Sequence, residues 1–358
     1  MRFVLFFICA IHSVLLFSQD YKSFTQTIQK LKKTSTAEEA NSLWTELTSK
    51  EAIPLTYKDS VAFLYKGEAT SVMWVGDFNE WGSNAQRNKK GERIVNTDIW
   101  LLKASFPEDA RLDYKIVINE TNWILDPLNP DQQWSGVGGG SPNSELRMPQ
   151  WKEDPVTTAP LQGVKPGRLE KDILYFSKLQ GYQVSYSVYL PHGYSSNSVY
   201  PIIYVTDGYE YMHEQMGNMI IVLNNLIHLQ KIQPIIAVFI DHREPADRSN
   251  NRRMPELAMN EKFLSFITKE LIPLVEKKYT VSTDPGQRAI IGTSMGGLAS
   301  AYIAFSKPEF FGLAGIQSPA FWFKPEIYSL CENLQTPPIK KPLCQPVKFL
   351  TPRKEVEK

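Results

Sequence analysis

The chain has 358 residues, a length typical of about two domains. Its composition is that of an ordinary globular protein, with 42% hydrophobic and 22% charged residues. The formal net charge of +1 at pH 7 offers no electrostatic basis for binding nucleic acid or an anionic membrane surface. We therefore predict a protein with its own hydrophobic core and no nucleic-acid partner.

The first residues have the pattern of a secretory signal peptide. Arg2 places a positive charge ahead of an almost unbroken apolar run over residues 3–17, and the small Ser18 occupies the expected cleavage position. A buried N-terminal helix or strand is the alternative, and an apolar run of about 15 residues is short for a membrane span. The pattern predicts cleavage after residue 18, export as a periplasmic or secreted protein, and no stable membrane anchor afterwards.

A helical lead and a β-rich region follow. Residues 19–51 predict one or two short helices with a break at residues 34–36. Short β-prone runs then occur at residues 60–65, 71–75, 98–103 and 112–118. This spacing, with polar turns between the runs, predicts a β-sandwich over residues 52–147. A Gly- and Pro-rich stretch at residues 135–142 leads into a predicted polar linker over residues 148–167.

The β-rich region resembles the early-set immunoglobulin-like modules related to glycogen-binding domains. The resemblance rests on G-D-F-N-E-W at residues 76–81, Trp100, Tyr114-Lys115 and D-P-L-N-P at residues 126–130. Some members of that family bind glycans by stacking exposed aromatic rings on sugars, which makes Trp81, Trp100 and Trp123 candidates. The alternatives are that these tryptophans are packing residues, or that the module shapes the rim of an active site.

From Tyr175 onward, predicted strands and helices alternate. The predicted strands are residues 182–190, 200–206, 234–240 and 288–291, and the predicted helices are residues 211–229 and 261–279. The second and third strands are continuous apolar runs, typical of strands buried on both faces. Pro273 should kink the last helix or mark its final turns. The alternation predicts a parallel sheet covered by helices, so residues 168–358 are assigned to the α/β class.

The last predicted strand leads directly into G-T-S-M-G at residues 292–296. G-x-S-x-G is the nucleophile elbow of α/β-hydrolases, a strand-to-helix turn so tight that its flanking residues must be small. Ser294 is the candidate nucleophile, at the start of a helix whose dipole favours negative charge. The backbone N–H groups of Met295 and of Tyr209, in the earlier T-D-G-Y loop, are the predicted oxyanion-hole donors.

These segments together resemble the Putative esterase family, which includes enterochelin esterases, feruloyl and acetyl-xylan esterases and S-formylglutathione hydrolases. The matching segments are Y-L-P-H-G-Y at residues 189–194, T-D-G at 206–208, R-M-P-E-L at 253–257, residues 263–273, G-T-S-M-G-G-L at 292–298 and Q-S-P-A-F-W at 317–322. The R-x-x-E-L segment and the module in front are most similar to the enterochelin-esterase branch. The resemblance covers residues 52–335. It implies an α/β-hydrolase fold and ester hydrolysis through an acyl-enzyme on Ser294, with no metal and no organic cofactor.

The resemblance also implies the class of substrate, a trilactone siderophore or an aromatic ester attached to a glycan. The candidate substrate-binding residues are Asp207, Arg253, Glu256 and Trp322. The segment 241–253 contains four arginines, and a basic rim would suit an anionic catecholate or ferric-siderophore ligand. The alternative is a solvated loop in which Arg253 pairs with Glu256.

The expected triad partners of Ser294 are absent from the part of the sequence that follows it. In α/β-hydrolases the chain order is Ser, then Asp or Glu, then His, but residues 295–358 contain no aspartate and no histidine. His242 lies at the correct edge of the predicted sheet, at a position that the family does not use. Past Lys340 the chain also lacks the apolar run expected of a next strand. We therefore expect a hydrolase domain that is incomplete at its C-terminus and impaired in activity.

Three functions are compatible with these observations. The first is an exported serine esterase of the enterochelin-esterase type. The second is a carbohydrate esterase that releases feruloyl or acetyl groups from plant polysaccharide. The third is a non-catalytic glycan- or siderophore-binding protein that retains the scaffold.

Overall fold

The computed structural model describes residues 21–83, 89–134 and 142–332, together with the backbone of residues 341–345. The chain divides into two compact units, Met1–Lys152 and Glu153–Lys358. Among the described helices, none combines the length and the apolar character needed to cross a membrane. The predicted signal peptide and most of the Gly- and Pro-rich stretch lie outside the described residues.

The first unit begins with two helices, α1 over residues 21–31 and α2 over Ala37–Lys50. Thr36 caps α2 by accepting a hydrogen bond from the Glu39 backbone N–H at 3.3 Å, which confirms the break predicted at residues 34–36. The strands are β1 Leu55–Tyr57, β2 Ser60–Lys66, β3 Val72–Gly76, β4 Glu92–Arg93, β5 Ile99–Ser105, β6 Arg111–Ile118, β7 Asn122–Ile124, β8 Gln132–Trp134 and β9 Pro142–Arg147.

These strands form two antiparallel sheets, in the orders β1-β2-β5-β4 and β3-β6-β9-β8, with β7 paired to β6. Alternate residues of β2 face opposite sides. Phe63 packs with Trp74 and Tyr114 from the second sheet, whereas Leu64 packs with Leu47 from α2. The predicted β-sandwich is therefore confirmed, and the helical lead covers the outer face of one of its sheets. The early-set relationship stays a prediction.

The three candidate sugar-stacking tryptophans have different environments. Trp100 is buried in the sandwich core, so it cannot offer a ring face to a glycan, and its candidacy was wrong. Trp81 is partly buried and donates from Nε1 to Asp77 at 3.2 Å. Trp123 on β7 is 48% exposed. Glycan stacking by Trp123 stays a prediction.

The second unit is built around one mixed sheet in the order β10-β11-β13-β12-β14-β15-β16. Its elements are α3 Pro155–Thr158, β10 Arg168–Ser177, β11 Tyr182–Leu190, β12 Ile202–Val205, α4 Gly208–Met212, α5 Met219–His228, β13 Ile236–Asp241, α6 Arg253–Leu257, α7 Glu261–Phe266, α8 Ile272–Lys278, β14 Arg288–Thr293, α9 Met295–Ser306, β15 Leu313–Gln317, α10 Glu326–Glu332 and β16 Lys341–Gln345. Strands β10 and β11 are antiparallel to their neighbours, and the remaining pairs are parallel.

The apolar runs predicted as buried strands lie at the centre of this sheet. On β13, Val238 and Ile240 pack into the hydrophobic cluster on one face, and Ala237 and Phe239 pack into the cluster on the other. A strand with both faces covered needs apolar residues at every position, which is why these runs do not alternate. The prediction of an α/β domain with a covered sheet is confirmed.

One helical prediction is wrong and another is confirmed. Residues 211–229 form two helices, α4 and α5, because the chain turns between them. A Cβ on Gly217 would lie 2.6 Å from the Tyr211 Cα, and Asn218 has a φ of 43°. The helix predicted over residues 261–279 is confirmed: a π-helical turn over Ile267–Leu271 joins α7 to α8 without a break, and Pro273 lies in the final turns, as predicted.

The prediction that strand character ends after Lys340 is wrong. Residues Lys341–Gln345 form β16, which pairs in parallel with β15 and brings Gln345 opposite Gln317. The run K-P-L-C-Q lacks the apolar pattern of the central strands. Proline is tolerated in a strand at the edge of a sheet, where one side needs no partner, and β16 is the edge of the described sheet.

Candidate active site

The turn between β14 and α9 has the geometry of a nucleophile elbow. Ser294 has a φ of 59° and a ψ of −115°, close to the first central position of a type II′ turn. Its N–H donates to the Gln317 carbonyl at 3.0 Å, and its carbonyl accepts from the N–H of Ala320 at 2.9 Å and of Leu298 at 3.0 Å. These bonds to β15 and the loop after it hold Ser294 in a conformation that costs a side-chain-bearing residue about 1–3 kcal/mol.

The glycines of the elbow are required by close packing against the turn after β12. A Cβ on Gly292 would lie 2.1 Å from the Thr206 Oγ1 and 2.5 Å from the Gly296 carbonyl carbon. A Cβ on Gly296 would lie 2.5 Å from the same Thr206 atom and 2.9 Å from the Asp207 Oδ2. The elbow and the turn at residues 206–208 therefore interlock, a contact that the motif alone did not predict.

The two predicted oxyanion donors lie at one edge of the sheet. Met295 is the first residue of α9, and Tyr209 lies in the turn from β12 into α4; β12 and β14 are adjacent parallel strands. Amides in the first turn of a helix have no helical acceptor, and neither N–H donates to another described residue. Their use as oxyanion donors stays a prediction.

Asp207 and Arg253, two of the predicted substrate-binding residues, form an ion pair. The Arg253 Nε donates to the Asp207 Oδ1 at 2.7 Å, and its Nη2 donates to the Oδ2 at 3.0 Å and to the Thr293 carbonyl at 3.3 Å. Burial alone would lower the pKa of Arg253, but the charge of Asp207, the hydrogen bonds to its carboxylate and the charge of Glu210 together outweigh burial and raise the pKa. The predicted pairing of Arg253 with Glu256 was wrong.

Glu256 instead belongs to a buried network. Its Oε2 lies 2.5 Å from the His242 Nδ1, and its Oε1 accepts from the Tyr182 hydroxyl at 2.6 Å. Burial alone would lower the pKa of His242, but the hydrogen bond to Glu256 and its charge outweigh burial and raise it. Both oxygens of Glu256 are thus occupied inside the unit, and the carboxylate is not placed to contact a substrate.

The basic rim predicted from the four arginines is not present, because each arginine has a carboxylate partner. The pairs are Arg243–Asp241, Arg248–Asp241, Arg248–Asp172, Arg252–Glu244 and Arg253–Asp207. All these N···O distances lie between 2.7 and 3.0 Å. The positive charge of each loop arginine is therefore neutralised by a neighbouring carboxylate.

A cavity of about 660 Å³ adjoins the turn that carries Tyr209. Tyr209, Met212, Asp241, Arg243 and Arg248 are among its lining residues. The Arg243 guanidinium lies over the Tyr209 ring, with its central carbon 3.3 Å from the ring centroid. The volume is in the range of pockets that hold small organic ligands.

Polar residues that sequence reasoning missed also lie beside the elbow. The Tyr211 hydroxyl donates to the Gln317 Oε1 at 2.6 Å and lies 2.7 Å from the Thr293 Oγ1. Burial raises the pKa of Tyr211 to about 12, so its hydroxyl keeps its proton at neutral pH. Gln317 opens the Q-S-P-A-F-W segment, which was a usable signal, whereas Tyr211 was predicted only as the first residue of a long helix.

Trp322, the last predicted substrate-binding residue, lies on the loop after β15. Its side chain is 78% exposed, and its ring meets that of Phe323 edge-on at 5.8 Å. Ala320 on the same loop donates to the Ser294 carbonyl, which links the loop to the elbow. Within the described part of the chain, no histidine makes a hydrogen bond to the Ser294 hydroxyl.

The sheet order, the strained serine at the β14–α9 turn and the facing turn after β12 define the second unit as an esterase-like α/β-hydrolase. Residues 177–338 match the protein family described as Putative esterase.

Proteins of known activity are similar to parts of this chain. The iron(III) enterobactin esterase of Escherichia coli K12 is 31% identical over 201 residues, which cover 56% of this chain and 47% of that protein. The endo-1,4-beta-xylanase/feruloyl esterase of Xylanibacter ruminicola is 28% identical over 167 residues, covering 44% and 22%. The chain spans 22–60% of the length of the curated relatives that it matches.

Solved structures show the same fold. The enterobactin esterase of Shigella flexneri in the presence of enterobactin aligns with a TM-score of 0.60 and 22% identity, over 78% of this chain and 77% of that one. The ferric enterobactin esterase of Salmonella typhimurium aligns with a TM-score of 0.59 and 23% identity, over 74% and 73%. At this identity the likeness establishes the fold alone.

Proposed function

We propose that the second unit is a serine hydrolase domain that cleaves carboxylic esters through an acyl-enzyme on Ser294. The observation that carries this proposal is the strained conformation of Ser294 in a G-x-S-x-G turn between β14 and α9. Backbone strain at a single residue whose side chain is a nucleophile is typical of active sites, where the surrounding structure maintains the strain. The curated relatives named as esterases support the proposed chemistry.

In this mechanism the Ser294 Oγ attacks the ester carbonyl carbon while its proton leaves to a base. The carbonyl oxygen becomes an oxyanion, which the N–H groups of Met295 and Tyr209 would bind. One such donor is worth about 3–4 kcal/mol of transition-state stabilisation. The tetrahedral intermediate expels the alcohol, and attack of water on the acyl-serine then releases the acid and regenerates the hydroxyl.

Proton removal from Ser294 needs a base, and the sequence after Ser294 contains no histidine to supply it. Residues 295–358 contain neither histidine nor aspartate, and the Nδ1 of His242 is held by Glu256. Loss of the histidine from a serine triad lowers kcat about 10⁶-fold. We propose that a polypeptide of these 358 residues is acylated slowly by activated esters and is deacylated more slowly still, because deacylation needs a base to activate water.

Acetylation by p-nitrophenyl acetate tests this proposal in the full 358-residue chain. p-Nitrophenolate departs without taking up a proton, so acylation depends less on the missing base than deacylation does. We expect an acetyl group on Ser294 in the intact-mass and peptide-mass spectra, absent from Ser294→Ala and retained in the matched Ser306→Ala variant of the same helix. Absence of a Ser294 adduct, together with p-nitrophenol release unaffected by Ser294→Ala, refutes the proposal and favours a binding function.

A second candidate is a carbohydrate esterase acting on a neutral, glycan-linked ester. The observation in its favour is the pairing of all four loop arginines with carboxylates, which leaves little positive potential to attract an anionic catecholate. The cavity beside Tyr209 combines an aromatic ring with charged hydrogen-bonding groups, a combination that suits a polyhydroxylated ligand.

Salt dependence separates the two substrate classes. Lowering the ionic strength from about 0.15 M to about 0.01 M lengthens the Debye length from about 8 Å to about 30 Å. A basic rim would then raise the rate constant for acylation of Ser294 by an anionic catecholate ester about tenfold or more. For a compensated rim we expect less than about a threefold change for both the anionic ester and neutral methyl ferulate. A tenfold gain limited to the anionic ester favours the siderophore class.

The remaining proposals concern the N-terminal part of the chain. We propose that residues 1–18 direct export, that residues 52–147 are an early-set module, and that residues 148–167 link it to the hydrolase domain of residues 168–358. N-terminal sequencing of protein recovered outside the cytoplasm tests export, because a start at Gln19 is expected. Pull-down on insoluble xylan or glucan, compared with Trp123→Ala, tests glycan binding by the module.

A further inference from the structure

We propose that Arg253 is a positioning residue that holds the predicted oxyanion-hole turn against the nucleophile elbow. One guanidinium reaches both elements, through two bonds to the Asp207 carboxylate and one to the Thr293 carbonyl. Asp207 lies two residues before Tyr209, and Thr293 immediately precedes Ser294. The inference rests on the proposed function, because it assigns Arg253 a role in aligning the two oxyanion donors.

The turn after β12 depends on Asp207. This residue has a φ of 53° and a ψ of 40°, in the left-handed region that side-chain-bearing residues rarely occupy. Its carbonyl accepts from the Tyr211 N–H at 3.1 Å, so its orientation directs the start of α4, where Tyr209 lies. Gly208 fits closely against β13, since a Cβ there would lie 2.5 Å from the Phe239 carbonyl carbon. The direction of the Tyr209 N–H is therefore coupled to where the Asp207 carboxylate is held.

The ion pair is suited to that task. The Asp207 side chain is 5% exposed and the Arg253 side chain 17% exposed, so solvent screens the pair little. The two parallel N–H···O bonds of a bidentate pair fix direction as well as distance, which an ammonium group cannot do. On the other side of the turn, Arg243 covers the Tyr209 ring, and Asp241 holds Arg243 through bonds of 3.0 and 2.8 Å. The segment from β13 to α6 thus contacts the turn from two sides.

This arrangement predicts a specific kinetic signature. The N–H groups of Met295 and Tyr209 would bind the oxyanion of the tetrahedral intermediate more tightly than the carbonyl of the bound ester. A misaligned donor then lowers the rate of the chemical step without weakening ground-state binding. A substrate-binding arginine would behave differently, because its loss raises the concentration of ester needed for half-maximal rate.

The variant Arg253→Lys tests the inference, because lysine keeps the charge and loses the bidentate geometry. Arg288→Lys is the matched control: Arg288 is a buried arginine that pairs with Glu276 at the start of β14, the strand that ends at Thr293. We expect the maximal rate constant for acetylation of Ser294 to fall about 10²- to 10³-fold in Arg253→Lys. The half-saturating ester concentration should not change, and Arg288→Lys should acetylate at the wild-type rate. Asp207→Asn should reproduce the effect of Arg253→Lys.

Amide hydrogen exchange gives a second readout that needs no catalysis. Peptides covering residues 206–212 should exchange faster in Arg253→Lys than in wild type or in Arg288→Lys, and thermal denaturation of each variant shows whether it is folded. The inference is overturned if exchange in this segment is unchanged, or if a folded Arg253→Lys variant acetylates at the wild-type rate or is altered only in half-saturation. If wild-type Ser294 is not acetylated at all, the proposed function fails, and hydrogen exchange alone decides whether Arg253 holds the turn.

Discussion

Replacing Ser294 by glycine should stabilise the second unit relative to alanine at the same position. Ser294 has a φ of 59° and a ψ of −115°, a conformation that glycine adopts without steric cost. A residue with a Cβ is strained there by about 1–3 kcal/mol. Alanine keeps the Cβ and loses the hydroxyl, whereas glycine loses both, so the difference between the two variants isolates the strain.

The expected magnitude follows from two opposing contributions. Relief of strain favours the glycine variant by about 1–3 kcal/mol. The larger conformational freedom of glycine in the unfolded chain opposes it by about 0.4–1 kcal/mol. We expect Ser294→Gly to exceed Ser294→Ala in free energy of unfolding by about 1–2 kcal/mol. For a domain of this size, each kcal/mol corresponds to about 2–4 °C in Tm.

Ser300 supplies the control, because it is a buried serine in the interior of the helix that follows. At an ordinary helical position, glycine is less stable than alanine by about 1 kcal/mol. Urea unfolding of the four variants should therefore give differences of opposite sign at the two positions, with similar m-values. A glycine variant at residue 294 that is no more stable than the alanine variant would show that the turn is unstrained and refute the elbow geometry.

Three further predictions concern buried groups. Burial raises the pKa of Asp126 from 3.8 to about 6, so the folded state binds this proton more tightly than the unfolded state does. The contribution of Asp126 to the unfolding free energy of the first unit should be greatest below pH about 4 and fall by up to about 3 kcal/mol as the pH rises through 6. Asp126→Asn should remove that share of the fall in pH-dependent urea titrations, and an unchanged pH dependence contradicts the assignment. Tyr204→Phe should leave the unfolding free energy unchanged or raise it by about 1 kcal/mol, because the Tyr204 hydroxyl is buried without a hydrogen-bond partner among the described residues. If thermal denaturation shows that the unfolding free energy falls by more than about 1 kcal/mol, the hydroxyl has a hydrogen-bond partner. Gly292→Ala should lower the unfolding free energy by about 2 kcal/mol or more and abolish Ser294 acetylation, because the new Cβ would meet the Thr206 Oγ1 and the Gly296 backbone. The control is Gly286→Ala, where the atoms nearest to the new Cβ belong to the Asp284 side chain, at 3.3 Å. Equal stability of the two variants argues against the interlocked turn.

Elements whose burial is uniform along their length were predictable from sequence. The central strands β12 and β13 show as apolar runs because both faces of the sheet are covered. The elbow was predictable because its geometry admits only small residues at Gly292 and Gly296. In these cases one local physical requirement determines the residue types over several consecutive positions.

Elements that depend on a distant partner were not predictable. Strand β16 is hidden because it is defined by backbone pairing with β15. The contact of Glu256 with Tyr182 joins residues 74 positions apart, and neither residue type signals the other.

The loop arginines show why a count of charges along the sequence overstates the positive charge that reaches solvent. A basic cluster along the sequence attracts anions only if its charges reach solvent uncompensated. Asp207 and Asp172 come from other elements of the sheet and pair with Arg253 and Arg248, and Asp241 pairs with Arg243 within the loop itself. The same pairing that removes a reason to expect an anionic ligand gives Arg253 a structural partner in the turn of Tyr209. Under the proposed function, this pairing favours a neutral ester recognised by shape and hydrogen bonding over an anionic catecholate.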